Sequence, residues 1–303
     1  MTESLDSPRA RVVGTFQVAF AASCWGCWSL FLRPSGLSVW VTMPIVLAVV
    51  ALATWPFVRT DRETPRWDRT TVAMLVVYAL LDLVNVGTFF GAMGETSVAV
   101  AVLTHYATPL LVALAAPWVD GERVPGAPVA AIVGFVGLVL VLAPWEVPDA
   151  GAHGSTLVGG ALGLASAFAY AGNVFLCRRV ALRLGPARAM SYHAMIAAVL
   201  AAPALFVVSW RVEAQPMAYV LAGGVLAGAI PGLLFVRGIR ATGATRAAIL
   251  AFLEPTVAVA VGWLAWGESL SWAAGLGAAL VLGAGLWVSR PRGLPAPEGA
   301  AIS

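Results

Sequence analysis

The 303-residue sequence contains no lysine, only three cysteines and few charged side chains of any kind. Charged residues make up 11% of it and hydrophobic residues 60%, whereas a soluble globular domain has about 25% charged and roughly 45–50% apolar residues. Water therefore cannot be the main solvent of this protein's surface. No zinc-ligand spacing, phosphate-binding loop or nucleophile elbow occurs, so we expect no catalytic residue, no metal and no cofactor.

The apolar residues are grouped into ten stretches, each long enough to cross a bilayer. A helix that crosses a hydrocarbon core of ~30 Å needs about 20 apolar residues. None of the stretches alternates apolar and polar residues as a barrel strand would, and a helix satisfies its backbone polar groups internally. We therefore predict an all-α integral membrane protein with ten transmembrane helices, over residues 12–32, 38–58, 71–93, 96–117, 126–144, 155–177, 188–209, 217–237, 244–266 and 271–289.

The arginines indicate the orientation of these helices. With the N-terminus in the cytoplasm, 16 of the 18 arginines fall in inside segments, and only Arg33 and Arg211 fall outside. Cytoplasmic loops are enriched in basic residues, and an odd number of spans would destroy this asymmetry. The sequence therefore predicts a multi-pass plasma-membrane protein with both termini in the cytoplasm, and its Arg-, Ala- and Gly-rich composition indicates a bacterial source. Arginines at membrane edges do not predict a nucleic-acid partner.

The two halves of the sequence resemble each other. A shift of 146 residues pairs Pro109 with Pro255, Gly121 with Gly267, Glu122 with Glu268, Thr96 with Thr242 and Phe89 with Phe235. Five helices per half is an odd number, so the second copy enters the membrane from the opposite side, which is typical of secondary transporters. We predict two inverted five-helix repeats around a central cavity, over 12–144 and 155–290, with a linker over 145–154 and a disordered tail over 291–303.

Two stretches and one dipeptide carry a resemblance to a known family. The stretch from Ala251 to Glu268 is similar to the ninth-helix signature of the drug/metabolite transporter superfamily, EamA type, and that from Tyr106 to Arg123 is similar to the matching fourth-helix signature. Trp25 and Gly26 resemble the Trp-Gly pair of the first helix. The resemblance implies ten helices, with helices 1, 3, 4, 6, 8 and 9 around a cavity, and export of amino acids, other metabolites or drugs. The arginine that many members carry in the second helix is missing.

Two carboxylates within predicted spans are the first candidates for function. Asp82 lies near the middle of span three and Glu254 near the middle of span nine. An Asp at the centre of a bilayer costs roughly 2.5–3.5 kcal/mol on insertion scales, so such residues face a cavity or a partner. Asn85 lies one turn after Asp82. These residues either handle a proton or a cationic substrate group, or only bond neighbouring helices together.

Aromatic, amide and histidine side chains complete the candidate site. His105 and Tyr106 lie in span four, and His105 is either a member of a proton relay or a packing residue. A shift of 145 residues pairs Trp25 with Tyr170 and Trp28 with Asn173, which makes all four candidates for substrate contact. Pro109, Pro231 and Pro255 are hinge candidates, because a proline frees the carbonyl four residues before it.

These features predict a secondary transporter of a small metabolite that works by alternating access, most simply as an exporter. Its expected partners are the small-molecule substrate and the lipid bilayer, and the glycines of span ten leave a homodimer open. A non-transporting scaffold or sensor is the alternative. A membrane-embedded enzyme is the weakest reading, because intramembrane proteases need a Ser–His pair or two aspartates and only Asp82 lies within a span.

Overall fold

Ten helical rods make up the chain in the computed structural model, which describes residues 5, 7–145, 154–211 and 213–290. They are α1 (Pro8–Ser35), α2 (Val39–Thr60), α3 (Arg69–Glu95), α4 (Val98–Val119), α5 (Ala127–Leu142), α6 (Thr156–Leu184), α7 (Pro186–Val207), α8 (Ala214–Thr242), α9 (Ala244–Trp266) and α10 (Trp272–Ser289). Among the described residues, nine rods are long and apolar enough to cross a membrane. The predicted all-α membrane fold is thereby confirmed.

Rod α5 differs from the prediction in length. It was expected over 126–144 but spans 16 residues, which corresponds to about 24 Å of helix. The backbone causes this shortening: Gly126 precedes the helix with a φ of 76°, and Ala143 ends it with a φ of 38°. Rod α6 shows the opposite difference, because it continues past residue 177 to Leu184 and places Arg178, Arg179 and Arg183 on its last two turns.

Side-chain caps begin most of the rods. A hydroxyl or carboxylate oxygen accepts a hydrogen bond from the first turn, and so satisfies an amide that has no partner within the helix. The residues that cap α1, α2, α3, α4, α6 and α10 in this way are Ser7, Ser38, Asp68, Ser97, Ser155 and Ser271. Gly36 and Gly267 end α1 and α9 in the left-handed conformation, with φ values of 61° and 69°.

Four rods are interrupted near the middle of the bundle. Rod α1 breaks into turns at residues 26–28, α4 at residues 106–107 and α9 at residues 251–252, while α8 contains a π-helical segment at Gly224–Ala229. The expectation that Pro109 and Pro255 leave free carbonyls is wrong. The His105 carbonyl accepts from the Thr108 hydroxyl at 2.7 Å, and the Ala251 carbonyl accepts from the Glu254 amide at 3.0 Å. The kink itself brings these donors within reach.

The rods pack in pairs that join the two halves. Rod α3 lies along α6, α1 along α8, α2 along α7, α5 along α10, and α4 against α9. These pairings are unchanged when α1–α5 are exchanged with α6–α10, as a pseudo-two-fold relation requires. The inverted repeat itself stays a prediction. The predicted linker lies outside the described residues apart from Trp145 and Gly154, and the predicted tail over 291–303 lies outside them entirely.

Both ends of the described chain lie at one face of the bundle, called here the arginine-rich face. Gly14, near the start of α1, packs against Gly238 and Thr242 at the end of α8. The Arg246 guanidinium, at the start of α9, donates to the Val288 carbonyl at the end of α10 at 3.0 Å. Ion pairs between the halves lie at the same face: Arg183 with Asp68, Arg179 with Asp120, Arg240 with Glu63, and Arg246 with Glu122.

Candidate substrate cavity

A cavity of about 570 Å³ lies inside the bundle. Its wall includes Leu32, Val39 and Met93, near the rod ends opposite the arginine-rich face, and Met190, four residues after the start of α7. Its lining residues come from α1, α2, α3, α4, α6, α7, α8 and α9, while α5 and α10 contribute none of those described. The family resemblance implies that six of these rods, α1, α3, α4, α6, α8 and α9, surround the cavity. Rods α2 and α7 are additional, and they bring Thr42, Met43, Met190 and His193 to the wall.

All nine candidate residues of the sequence analysis lie on the wall of this cavity: Trp25, Trp28, Asp82, Asn85, His105, Tyr106, Tyr170, Asn173 and Glu254. Of the hinge candidates, Pro255 lines the cavity, while Pro109 and Pro231 are buried within α4 and α8. The structure therefore brings the nine residues together, and their roles stay predictions.

Asp82 is held by side chains from two other rods. Its Oδ1 atom accepts a hydrogen bond of 3.0 Å from the Asn173 amide on α6. Its Oδ2 atom lies 3.5 Å from Nε2 of His193 on α7. The His193 ring stacks on Tyr78, with ring centroids 3.7 Å apart and an angle of 17° between the planes. The carboxylate is 22% exposed and the imidazole 6%, so the pair is buried in the wall but reaches the cavity.

His193 is the main functional candidate that sequence reasoning missed. It lies in a predicted span, and an imidazole within a membrane helix is as unusual as the His105 imidazole that was considered. The argument that singled out His105, that an imidazole is unusual within a membrane span, would also have singled out His193. Its contact with Asp82 could not be found in this way, because the two residues are 111 positions apart and no repeat relation pairs them.

His105 belongs to a second polar cluster. Its Nδ1 atom lies 2.7 Å from the Ser166 hydroxyl oxygen, and that hydroxyl lies 2.7 Å from Oδ1 of Asn85. A hydroxyl has one proton, so Ser166 donates to Asn85 and accepts from Nδ1–H of His105. The ring also stacks on Tyr170, with centroids 5.3 Å apart. His105 and Asp82 thus face one cavity from two separate hydrogen-bonded clusters. Ser166, which is fully buried, was also missed from the sequence.

Glu254 faces the cavity at the interruption of α9. The Tyr106 side chain of α4 lies close to its carboxylate. Gly26, in the interruption of α1, packs against the Glu254 backbone so closely that an added Cβ would lie 2.5 Å from its carbonyl oxygen. Only glycine permits this approach, which brings the two interruptions together. Trp25, next to Gly26, packs on Phe235 with ring centroids 4.9 Å apart.

The second half of the chain matches a known family. Residues 157–290 match the model of the EamA-like transporter family. These residues are an EamA-like domain. The resemblance predicted from the sequence is thereby confirmed, and the EamA-like domain supplies Tyr170, Asn173, His193 and Glu254 to the cavity.

Two relatives extend beyond the EamA-like domain into the first half. A protein of Archaeoglobus fulgidus named "Uncharacterized transporter" is 28% identical over 270 residues, which cover 89% of this chain and 93% of the relative. A crystal structure of another protein superposes with a TM-score of 0.76 over 91% of this chain and 97% of that one. It is 19% identical, so it shows the fold alone. The family and the archaeal relative point to a multi-pass membrane transporter rather than an enzyme.

Proposed function

We propose that this EamA-like protein is a secondary transporter that exports a small metabolite by alternating access. The observation that supports this best is the cavity of about 570 Å³, because all nine candidate residues line it. Ligand cavities have volumes of roughly 300–1,000 Å³ and are lined mostly by apolar side chains with a few polar groups. The cavity has this character, and a substrate bound in it would contact residues from both halves.

Carboxylates give the proposed site its chemistry. Asp82 and Glu254 reach the cavity from opposite halves of the chain, and Asp82 accepts a hydrogen bond from Asn173 in the wall. Desolvated acids persist in a membrane protein where a proton, a cation or a partner compensates the energy of burial. At least one of them, in this proposal, handles a proton or a cationic group of the substrate.

Alternating access requires a closed face that can open. Ion pairs between the halves close the arginine-rich face, among them Arg179 with Asp120 at 2.8 Å and Arg183 with Asp68 at 3.0 Å. Pro109, Pro231 and Pro255 are the proposed hinges, because they lie beside the interruptions of α4, α8 and α9. With the arginine-rich face in the cytoplasm of a plasma membrane, the cavity extends towards the outside. A homodimer through the outer side of α10 stays a prediction.

Flux measurements test the proposal. Purified protein in proteoliposomes preloaded with a metabolite extract should release a subset of compounds faster than empty liposomes do. Asp82→Asn or Glu254→Gln should remove this release or its pH dependence while the variant folds normally. Glu268→Gln is the matched control, since Glu268 is half exposed and pairs with Arg33 outside the cavity. Unchanged flux in both single variants and in the double variant would leave the two acids a packing role. Absence of any flux would contradict transport.

A further inference from the structure

The charges of the cavity wall are of one sign. Asp82 and Glu254 are the acids among the described lining residues, and no arginine occurs among them. Of the two arginines on the outer side, Arg33 pairs with Glu268 at 2.7 Å and lies over the Trp266 ring, and Arg211 is not among the lining residues. A carboxylate or phosphate on a substrate would therefore meet two acids in the described wall and no guanidinium to compensate its charge. A cation would meet compensating charge.

The surroundings of Asp82 contain more hydrogen-bond acceptors than the protein itself uses. Oδ1 of Asn173 is buried and has no hydrogen-bond partner among the described residues. The same holds for both ring nitrogens of His193, Nδ1 and Nε2, whose imidazole is 6% exposed. A buried polar atom without a partner costs free energy, so a ligand that supplies donors would relieve this cost. With Oδ2 of Asp82, the Asn173 oxygen and the one unprotonated nitrogen of a neutral His193 ring offer acceptor positions on three rods, α3, α6 and α7.

Aromatic rings line the same cavity. Tyr78 stacks on His193, and Tyr170 and Trp25 are among the lining residues, with Trp25 packed on Phe235. An aromatic face attracts an organic cation by about 0.5–2 kcal/mol, depending on desolvation. The same rings and the neighbouring Met190 provide an apolar surface for the body of a substrate.

We propose that Asp82, Asn173 and His193 form a recognition subsite for an ammonium group, and that the preferred substrate is a small organic cation with an apolar or aromatic body. This inference rests on the proposed transport function and specifies the substrate class of the same cavity. A primary ammonium has three N–H donors, which suit the Asp82 carboxylate and the unpaired acceptor of Asn173.

A series of ligands with one aromatic body tests the charge preference. Binding of phenethylammonium, phenethyl alcohol and phenylacetate to the purified full-length protein is measured by isothermal titration calorimetry. The cation should bind roughly tenfold more tightly than the alcohol, since charge-assisted hydrogen bonds are about twice as strong as neutral ones, and phenylacetate should bind most weakly. Phenethyltrimethylammonium, which has no N–H group, should bind less tightly than the primary ammonium.

Variants separate the subsite from the rest of the cavity. Asp82→Asn should reduce cation binding to the level of the alcohol, whereas the control Glu268→Gln, outside the cavity, should keep the preference. Asn173→Ala keeps the charge of Asp82, so it should retain cation binding but lose the preference for the primary over the quaternary ammonium. This second variant tests the subsite even where Asp82→Asn fails to fold.

Several results would overturn the inference. One such result is that the alcohol or phenylacetate binds as tightly as phenethylammonium or more tightly. A second is that the cation preference survives Asp82→Asn. A third is that no ligand in the series binds. Proteoliposome flux of a metabolite extract separates this failure from failure of the proposed function. Release of neutral or anionic metabolites with no cation among them would contradict the ammonium subsite and leave transport standing. Absence of all flux would contradict both.

Discussion

Nε2 of His193 lies 3.5 Å from Oδ2 of Asp82, and the two residues come from different halves of the chain. Asn173, which donates to the other carboxylate oxygen, also belongs to the second half. The position that the 146-residue shift pairs with Asp82 is Gly228, which lines the cavity without a side chain. The Asp82 cluster therefore exists once in the molecule. The cavity thus has a carboxylate at one position and no side chain at the corresponding one, where Val50 and Trp28 pack against Gly228 instead.

The arginine-rich face is expected to be cytoplasmic. Sixteen of the 18 arginines belong to this side by sequence, and the described loops that carry them lie together in the structure. Reporter fusions at Pro148 and at the C-terminus should give an outside and an inside signal respectively, following the positive-inside rule. Two reporters on the same side would contradict the ten-span arrangement.

The ion pair of Asp120 should stabilise the protein far more than the pair of Arg33. The Asp120 side chain is 3% exposed and contacts Arg179 at 2.8 Å and Arg178 at 3.6 Å, whereas Arg33 and Glu268 are 52% and 50% exposed. Asp120→Asn should cost roughly 3 kcal/mol, the lower end for a buried pair, because the Arg179 side chain is 40% exposed. Arg33→Gln should cost below about 1 kcal/mol. Unfolding in detergent measures both, and equal costs would contradict this assignment.

Close approach of α5 and α10 should depend on Gly277. An added Cβ there would collide with backbone atoms of α5, lying 2.6 Å from the Val141 nitrogen, so Gly277→Ala should destabilise the protein by about 1–3 kcal/mol. Gly283, on the same rod, has nothing within 4 Å of such a Cβ. Gly283→Ala should be neutral or stabilise by up to about 1 kcal/mol through helix propensity. Thermal unfolding of the two variants in one detergent distinguishes them, and a similar effect of both would show that the contact is unimportant.

Glu122 should make stability depend on pH, because its carboxylate caps the start of α9. It accepts from the Thr245 amide at 3.4 Å and lies 3.8 Å from Arg246. Burial raises the pKa of Glu122 above 4.5, against the opposing effect of the Thr245 amide and the nearby arginines. A raised carboxyl pKa means that the folded state binds the proton more tightly. The contribution of Glu122 to the free energy of unfolding is therefore complete below pH 4.5, and it is lost as the pH rises through the pKa of Glu122 in the folded state.

Two substitutions at Glu122 separate the cap from the charge. Glu122→Gln keeps an acceptor and should remove this pH dependence without loss of stability at neutral pH. Glu122→Ala also removes the cap and should be less stable than Glu122→Gln by about 0.5–2 kcal/mol at any pH. Unfolding midpoints between pH 4 and 8 measure both effects. A pH profile of Glu122→Gln that matches the unsubstituted protein would assign the dependence to another group.

Some of the candidate site could be predicted from the sequence because the signal is local. An acid or an imidazole within a span of about 20 apolar residues is conspicuous without any partner being known. Asp82, His105 and Glu254 were found in this way, and Trp25, Tyr170 and Asn173 through the repeat. His193 and Ser166 were missed, although His193 carries the same signal as His105. The carbonyl of His105 was misjudged because the bond from the Thr108 hydroxyl depends on how α4 bends.

The sequence by itself determined that the chain is a bundle of ten membrane helices with its arginines on one side, since hydropathy and loop charge are sums over neighbouring residues. It also determined, through the repeat and two signature stretches, the kind of transporter that the bundle resembles. Only the tertiary structure decided which polar groups meet. Asp82, Asn173 and His193 lie on three rods, and their contacts arise where α3 packs between α6 and α7. Contacts between residues distant in the chain depend on helix packing and rotation, which hydropathy does not encode.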